Sequence, residues 1–443
     1  MYRTLIIPVL LGLLTVTPAM AETEATANDY WPQWRGPLAT GVAPNADPPT
    51  EWSEKKNVDW KVEIPGKGSA SPIIWGDTLY VLTAVPTGET KEVAKPQKSS
   101  QERQGPRGVQ PSHAQQFTIL ALGRKDGEVK WQKVLREEVP HQGTHSTGTW
   151  ASNSPITDGQ RIYAYFGSRG LYCLDMDGTL IWEKDLGDMQ TRRSFGEGSS
   201  PALYEDTIVI NWDHEGDSFI VALDKATGAE TWRRDRDEIT SWSTPLVVEH
   251  GGRRQVIVSA TDRVRSYDLK SGETLWEASG MTVNAIPTPV HTDGVVVVTS
   301  GFRGNALLAI RLAGASGDVT GTDSIVWSLD RDTPYTPSPL LYGSQLYFLK
   351  TNDGILSSYD AKTGEKYFGP VRLDGVPNIY ASPVGAGNRV YIAGRDGATV
   401  VLESGAKFKV LAVNELDDGF DASPAVVGNE IYLRGKHLYR ISH

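Results

Sequence analysis

Three histidines in this chain stand where an imidazole could meet carboxylates. His141 and His145 are four residues apart, and His214 sits beside Asp213, Glu215 and Asp217. Imidazole with carboxylate is the chemistry of a divalent metal site or of general acid–base work. The His141/His145 spacing brings two ligands to one side only on a helix, and none is predicted there. Surface or hydrogen-bonded histidines are therefore the competing reading. Arg192 and Arg193 with Glu197 could clamp a carboxylate through paired N–H donors, or could pair with each other's charges. Cys173 is the only cysteine and lies in the run Leu171-Tyr172-Cys173-Leu174, the setting of a small core residue rather than a nucleophile. No serine occupies a nucleophile elbow, so no Ser/His/Asp arrangement can be assembled.

The elements that must position these side chains form a repeat, and a fixed period decides an architecture. A Ser/Thr-Pro pair recurs at Ser71-Pro72, Ser154-Pro155, Ser200-Pro201, Thr244-Pro245, Thr288-Pro289, Ser338-Pro339, Ser382-Pro383 and Ser423-Pro424. Successive prolines are 83, 46, 44, 44, 50, 44 and 41 residues apart, and the segment 85–116 accounts for the first interval. Each unit runs from a short strand through a Gly-containing turn to alternating strands. The last strand carries a Trp, as at Trp131, Trp182, Trp232, Trp276 and Trp327. Short alternating strands between Gly, Asp and Asn turns predict propeller blades. The eighth unit stops one strand short, and a matching Trp strand, Val58 to Ile64, stands ahead of the first. The expectation is an all-β, eight-bladed propeller of four-stranded antiparallel blades, closed by that N-terminal strand so that no edge is left open.

In such a blade the fourth-to-first and second-to-third connections share one face. Ahead of the prolines stand Lys67, Trp150 with Asn153, Glu197, Trp242, Asn284, Tyr335, Asn378 with Tyr380, and Asp421. Second-to-third connections add Arg169, Arg303 and Arg395, and the three histidines fall on the same face. Aromatics among hydrogen-bonding groups in a concave mouth suit a small polar ligand such as a sugar, peptide or quinone. The alternative is that these groups only cap inner strands and plug the channel. The third-to-fourth turns on the other face, such as Lys225-Ala226-Thr227-Gly228, read as turn chemistry and no more.

The run Ala222-x-Asp-x-x-Thr-Gly-x-x-x-Trp232, with weaker copies ending at Trp276 and Phe368, resembles the pyrroloquinoline-quinone-like (PQQ-like) propeller repeat. Within that family the chain is similar to exported bacterial propellers of the outer-membrane assembly factor BamB type. The Trp31-Pro-Gln-Trp-Arg-Gly-Pro37 opening is similar to that of a group of exported propellers. The resemblance implies two branches. Quinoprotein dehydrogenases hold PQQ with calcium against a disulfide of adjacent cysteines, a marker a single cysteine cannot supply. The assembly-factor branch is a scaffold attached through a lipidated Cys, which is absent here. The sequence thus favours a non-catalytic binding or scaffold protein of the cell envelope, with a small polar ligand or an envelope protein as partner. The alternative is a quinoprotein-like oxidoreductase or a metal-assisted hydrolase or lyase using the same face.

Arg3, an apolar run from Leu5 to Val16 and the end Ala19-Met20-Ala21 read as a cleaved signal peptide, residues 1–21, with an uncleaved anchor as the alternative. Residues 22–57 form an N-terminal arm, and 58–443 the propeller. The segment 85–116, rich in Lys, Gln, Ser, Pro and Gly, reads as a flexible insertion in blade one. Beyond the signal nothing is apolar enough to span a bilayer. A net charge of −10 argues against nucleic acid as partner. A periplasmic or secreted location follows from the signal.

Overall fold

A computed structural model describes residues 26–88 and 107–443. The expected signal, residues 1–21, and the centre of the insertion lie outside the described residues.

Eight antiparallel sheets succeed one another along the chain, each with its strands in meander order. Blade one consists of Ile73–Trp75, Thr78–Pro86, Gln115–Gly123 and Val129–Glu138. Blade eight takes Ala425–Val427, Glu430–Arg434 and His437–Ile441 from the C-terminal end, and its outer strand is Val58–Glu63. That strand runs antiparallel to the last one, with Trp60 opposite Arg440 and Glu63 opposite His437. The ring is therefore closed by chain ends, as the missing eighth Trp strand requires. Blade one's central ladder is longer than the repeat suggests. Val85 pairs with Gln116 and Pro86 with Gln115, so the hairpin takes the outer residues of the expected insertion.

The core lies between blades. Tyr80, Leu82, Phe117 and Ile119 of blade one meet Ile162, Ala164 and Phe166 of blade two, all buried. The β-branched content of the inner strands, such as Val295–Ser300, suits a sheet buried on both faces.

Two devices lock neighbouring blades. The first explains the Ser/Thr-Pro pairs. The backbone N–H of Ser71 donates to Ser154 Oγ (3.0 Å), Ser154 to Ser200 (2.9 Å), and Ser200 to Thr244 (2.9 Å). The belt continues from Thr288 to Ser338, Ser338 to Ser382 and Ser382 to Ser423. Between blades four and five the partner changes, with Thr288 Oγ1 donating to Thr244 O at 2.7 Å.

The second device uses the turns that sequence reading took as generic. The outer-strand Trp of one blade lies on the turn glycine of the next: Trp60 on Gly127, Trp131 on Gly178, Trp182 on Gly228, Trp232 on Gly272 and Trp327 on Gly364. Each indole N–H also donates to a carbonyl of the next blade, for instance Trp232 Nε1 to Leu269 O at 2.9 Å. The glycine is needed twice over. Gly228 has φ +71, and a Cβ there would stand 2.8 Å from Trp182. Trp276 departs from the pattern by donating to Gln255 of its own blade. Its strand gains a fifth, parallel partner, Gly317–Asp318, from the long connection inside blade five. That connection also accounts for the 50-residue interval.

Candidate functional site

The innermost strands start at the Ser/Thr-Pro pairs and run away from the mouth. The N-terminal arm crosses beneath it. Trp31 exchanges backbone hydrogen bonds with Ile74, Pro32 O accepts from Thr157, and Thr40 O accepts from Leu341. Gly41 and Ala43 bracket Gly385, and Asp47 N–H reaches Gly428 O. The arm thus touches the inner strands of blades one, two, six, seven and eight. Arg35, fully buried, is its anchor: Nη1 donates to Pro383 O (2.8 Å), and Nη2 to Pro339 O (2.7 Å) and Thr40 O (3.2 Å). Beside it Trp34 donates from Nε1 to Ser423 Oγ at 3.3 Å.

Above Trp34 the mouth encloses a cavity of about 420 Å³. The residue three positions ahead of the proline lines it in all eight blades: Ser69, Ser152, Gly198, Trp242, Ile286, Thr336, Tyr380 and Asp421. Belt residues Ser154, Ser200, Ser382 and Ser423 join Trp34 lower down. Of the residues singled out by sequence, Glu197, Trp242, Asn284, Arg303, Tyr335, Tyr380, Asp421, His145, Arg192 and Arg193 line this cavity. Lys67 and Asn378, five positions ahead of their prolines, do not; both are exposed. Trp150 and Asn153 line a smaller neighbouring recess with His141, Arg169 and Glu197. Sequence reading missed Trp34, Arg107, Phe195, Phe302 and the small residues of the ring. A strict count of three back from each proline finds the ring. The two tryptophans of the 31–37 opening were the signal for the floor.

The carboxylates of the mouth are held. Glu197 accepts from Ser168 N–H on Oε2 (2.7 Å) and from Ser168 Oγ on Oε1 (2.6 Å). A Cβ at Gly167 (φ +59) would collide with Glu197 Oε2, so the turn Gly167–Arg169 brings Ser168 to this carboxylate only with glycine there. Burial raises the Glu197 pKa, and the Ser168 hydrogen bonds pull it back. Asp421 receives Arg395 on both oxygens, at 2.5 and 3.3 Å, and the same guanidinium stacks on Tyr380 at 4.1 Å.

The aromatic wall is ordered by its own contacts. Trp242 Nε1 donates to Gly196 O at 2.7 Å, and Phe302 stacks on Tyr335 at 4.9 Å. Asn284, buried and with φ +60, offers Nδ2 to Tyr335 Oη at 3.5 Å, while its Oδ1 has no partner. His145 packs edge-on against Phe195 and shares a proton with Thr147 Oγ1 at 2.7 Å. Burial, then the charge of Arg395, lowers its pKa, which favours the neutral ring. Arg107, Arg192, Arg193 and Arg303 bring positive charge to the same cavity.

The three histidines of the proposed metal site are not brought together. His141 Nε2 faces Met189 O at 2.6 Å, with Arg169 at Nδ1. His214 Nδ1 accepts from Gln190 N–H at 3.0 Å, and its Nε2 faces Asp217 O. Among the described residues no group of three or more His, Cys, Asp or Glu is placed to hold a metal ion. A quinone with calcium also fits these residues poorly. Cys173 is buried in blade two, opposite Tyr163 and Trp182, rather than at the mouth. Both mouth carboxylates already have partners.

The family model for outer membrane protein assembly factor BamB matches residues 50–211 and 216–443. The BamB of Moranella endobia (strain PCIT) is 25% identical over 198 residues, 44% of this chain; the match spans 47% of that protein, about half its length. Among solved structures, BamB from Moraxella catarrhalis superposes with a TM-score of 0.58 at 14% identity, covering 87% of this chain and 97% of its own. The quinohemoprotein alcohol dehydrogenase of Comamonas testosteroni gives 0.63 at 10% identity, covering 94% and 81%. At such identities the structural likeness speaks for the fold alone.

Proposed function

The chain belongs to the family described as outer membrane protein assembly factor BamB, built on PQQ-like repeats, and from that premise we propose that it is an exported binding protein of the cell envelope. In this reading residues 1–21 are a signal, 22–57 an arm that closes the channel, and 58–443 a propeller whose mouth receives a small polar ligand or a short projection of an envelope protein. The periplasm, or the medium beyond it, is where it works. No helix among the described residues is long and apolar enough to cross a membrane.

The observation that carries the reading is the cup itself. Eight equivalent positions converge on one cavity, and Trp34 of the arm lines it beside Ser423. Convergent polar groups among aromatics in a concavity are what ligand recognition requires. Catalysis at the same mouth, by a quinone or a metal, would need carboxylates able to react or coordinate. Glu197 and Asp421 instead hold Ser168 and Arg395.

Reconstitution with pyrroloquinoline quinone and calcium separates the two classes. We expect neither stoichiometric quinone absorbance nor reduction of an artificial acceptor by alcohols or sugars. Appearance of both would replace the binding reading with an oxidoreductase.

A further inference from the structure

The mouth gathers positive charge: Arg107, Arg192, Arg193 and Arg303 line one cavity. The protein has a net charge of −10, and many of its arginines pair with carboxylates, as Arg236 does with Asp213 and Arg124 with Glu430. Arg192 and Arg303 have no carboxylate within ion-pair distance among the described residues; Arg303 lies over the Phe302 ring at 5.4 Å. Asp421 is neutralised by Arg395. Both oxygens of Glu197 are taken up by Ser168. A concave site walled by protein concentrates such a field on whatever enters.

The floor adds hydroxyl donors. Ser154, Ser200 and Ser382 each accept a backbone N–H on Oγ, and Ser423 accepts both Ser382 N–H and Trp34 Nε1. No acceptor for their own hydroxyl protons is found among the described residues. These O–H groups are therefore available to a ligand in the cavity they line. Among the aromatic rings of the mouth, Trp34 comes from the arm, Trp242 and Tyr380 from two different blades, and Phe302 stacks on Tyr335. Aromatic faces beside hydroxyl and arginine donors suit a hydroxylated ring that also has apolar C–H faces.

We propose that the cup binds an acidic saccharide: a sugar of one or two rings bearing a carboxylate or a sulfate, free or as the end of a chain. The oxyanion sits with Arg192 and Arg303, the hydroxyls meet the serine belt, and a ring face rests on Trp34 or Trp242. The proposal rests on the reading of the mouth as the functional site.

Calorimetric titration of the full exported chain tests it with four probes: a digalacturonate, a sulfated disaccharide, a neutral disaccharide and pyrroloquinoline quinone. The proposal expects one or both acidic disaccharides to bind at least tenfold more tightly than the neutral one. Arg192→Gln and Arg303→Gln should each weaken that binding at least fivefold. Lys407→Gln, on an exposed turn of blade seven, should leave it unchanged. Melting temperatures of the arginine variants should match the wild type, since neither side chain holds a carboxylate. Neutral-sugar binding as tight as that of the acidic probes overturns the requirement for an acidic group, and quinone binding that both arginine variants weaken keeps the mouth as the site and overturns the saccharide class. Acidic-sugar binding untouched by either variant overturns the mouth itself, and absence of binding by both acidic probes overturns the proposal.

Discussion

Glu238 illustrates what burial does to one group here. It lies at the seam of blades three and four, its side chain without solvent exposure. It accepts Asp262 N–H at 2.9 Å, Arg263 N–H at 3.0 Å and Arg265 Nη1 at 2.9 Å. Burial pushes its pKa up to about 7, with Arg236, the Asp262 amide and Arg265 pulling the other way. In the unfolded chain the group titrates near the usual carboxylate value, so the folded state binds its proton more tightly. Its contribution to stability is complete below about pH 4.5 and disappears as pH rises through about 7. Glu238→Gln removes the titration. The difference in unfolding free energy between wild type and variant should therefore fall by up to about 3 kcal/mol between those pH values. Urea unfolding at several pH values measures it, and a flat difference would show that the carboxyl titrates normally. Nothing in the sequence marks Glu238, because desolvation depends on a neighbour 24 residues away. Glu197, Trp242, Tyr380 and Asp421 were legible because their repeat offset fixes their face. Lys67 and Asn378 share the offset of Asn284, which is buried at the wall, yet both are exposed, so at that position the individual loop decides.

At the scale of elements, the repeat made the strands, their number and the closing strand readable before any coordinate. What it concealed was the coupling between blades. A turn such as Lys225–Gly228 looks like local chemistry, yet its glycine is the seat of a tryptophan from the preceding blade. Gly228→Ala should cost about 2–4 kcal/mol, from the left-handed backbone together with the clash against Trp182. Gly251 has φ +60 and open space around it, so Gly251→Ala should cost only about 1–2 kcal/mol. Equal losses in chemical denaturation would mean that the indole contact adds nothing. The N-terminal arm was equally opaque. Its bonds reach five blades far away in sequence, and periodicity says nothing about a segment that does not repeat.

The whole molecule is a closed ring with a cup at one end, and the cup exists because distant parts of the chain meet there. Eight loops give the wall, the serine belt the lower rim, and an arm that precedes the first blade supplies the floor. The face was foreseeable from the blade topology; the closed floor and the arginine field were not, since both depend on which side chains lack partners after folding. The most direct measurement is a crystal structure of the protein soaked with an acidic disaccharide. The account predicts the sugar inside the mouth, its acidic group against Arg192 or Arg303 and a ring against Trp34 or Trp242. A mouth left empty at saturating ligand, with the sugar on an outer strand or on the opposite face, would contradict it.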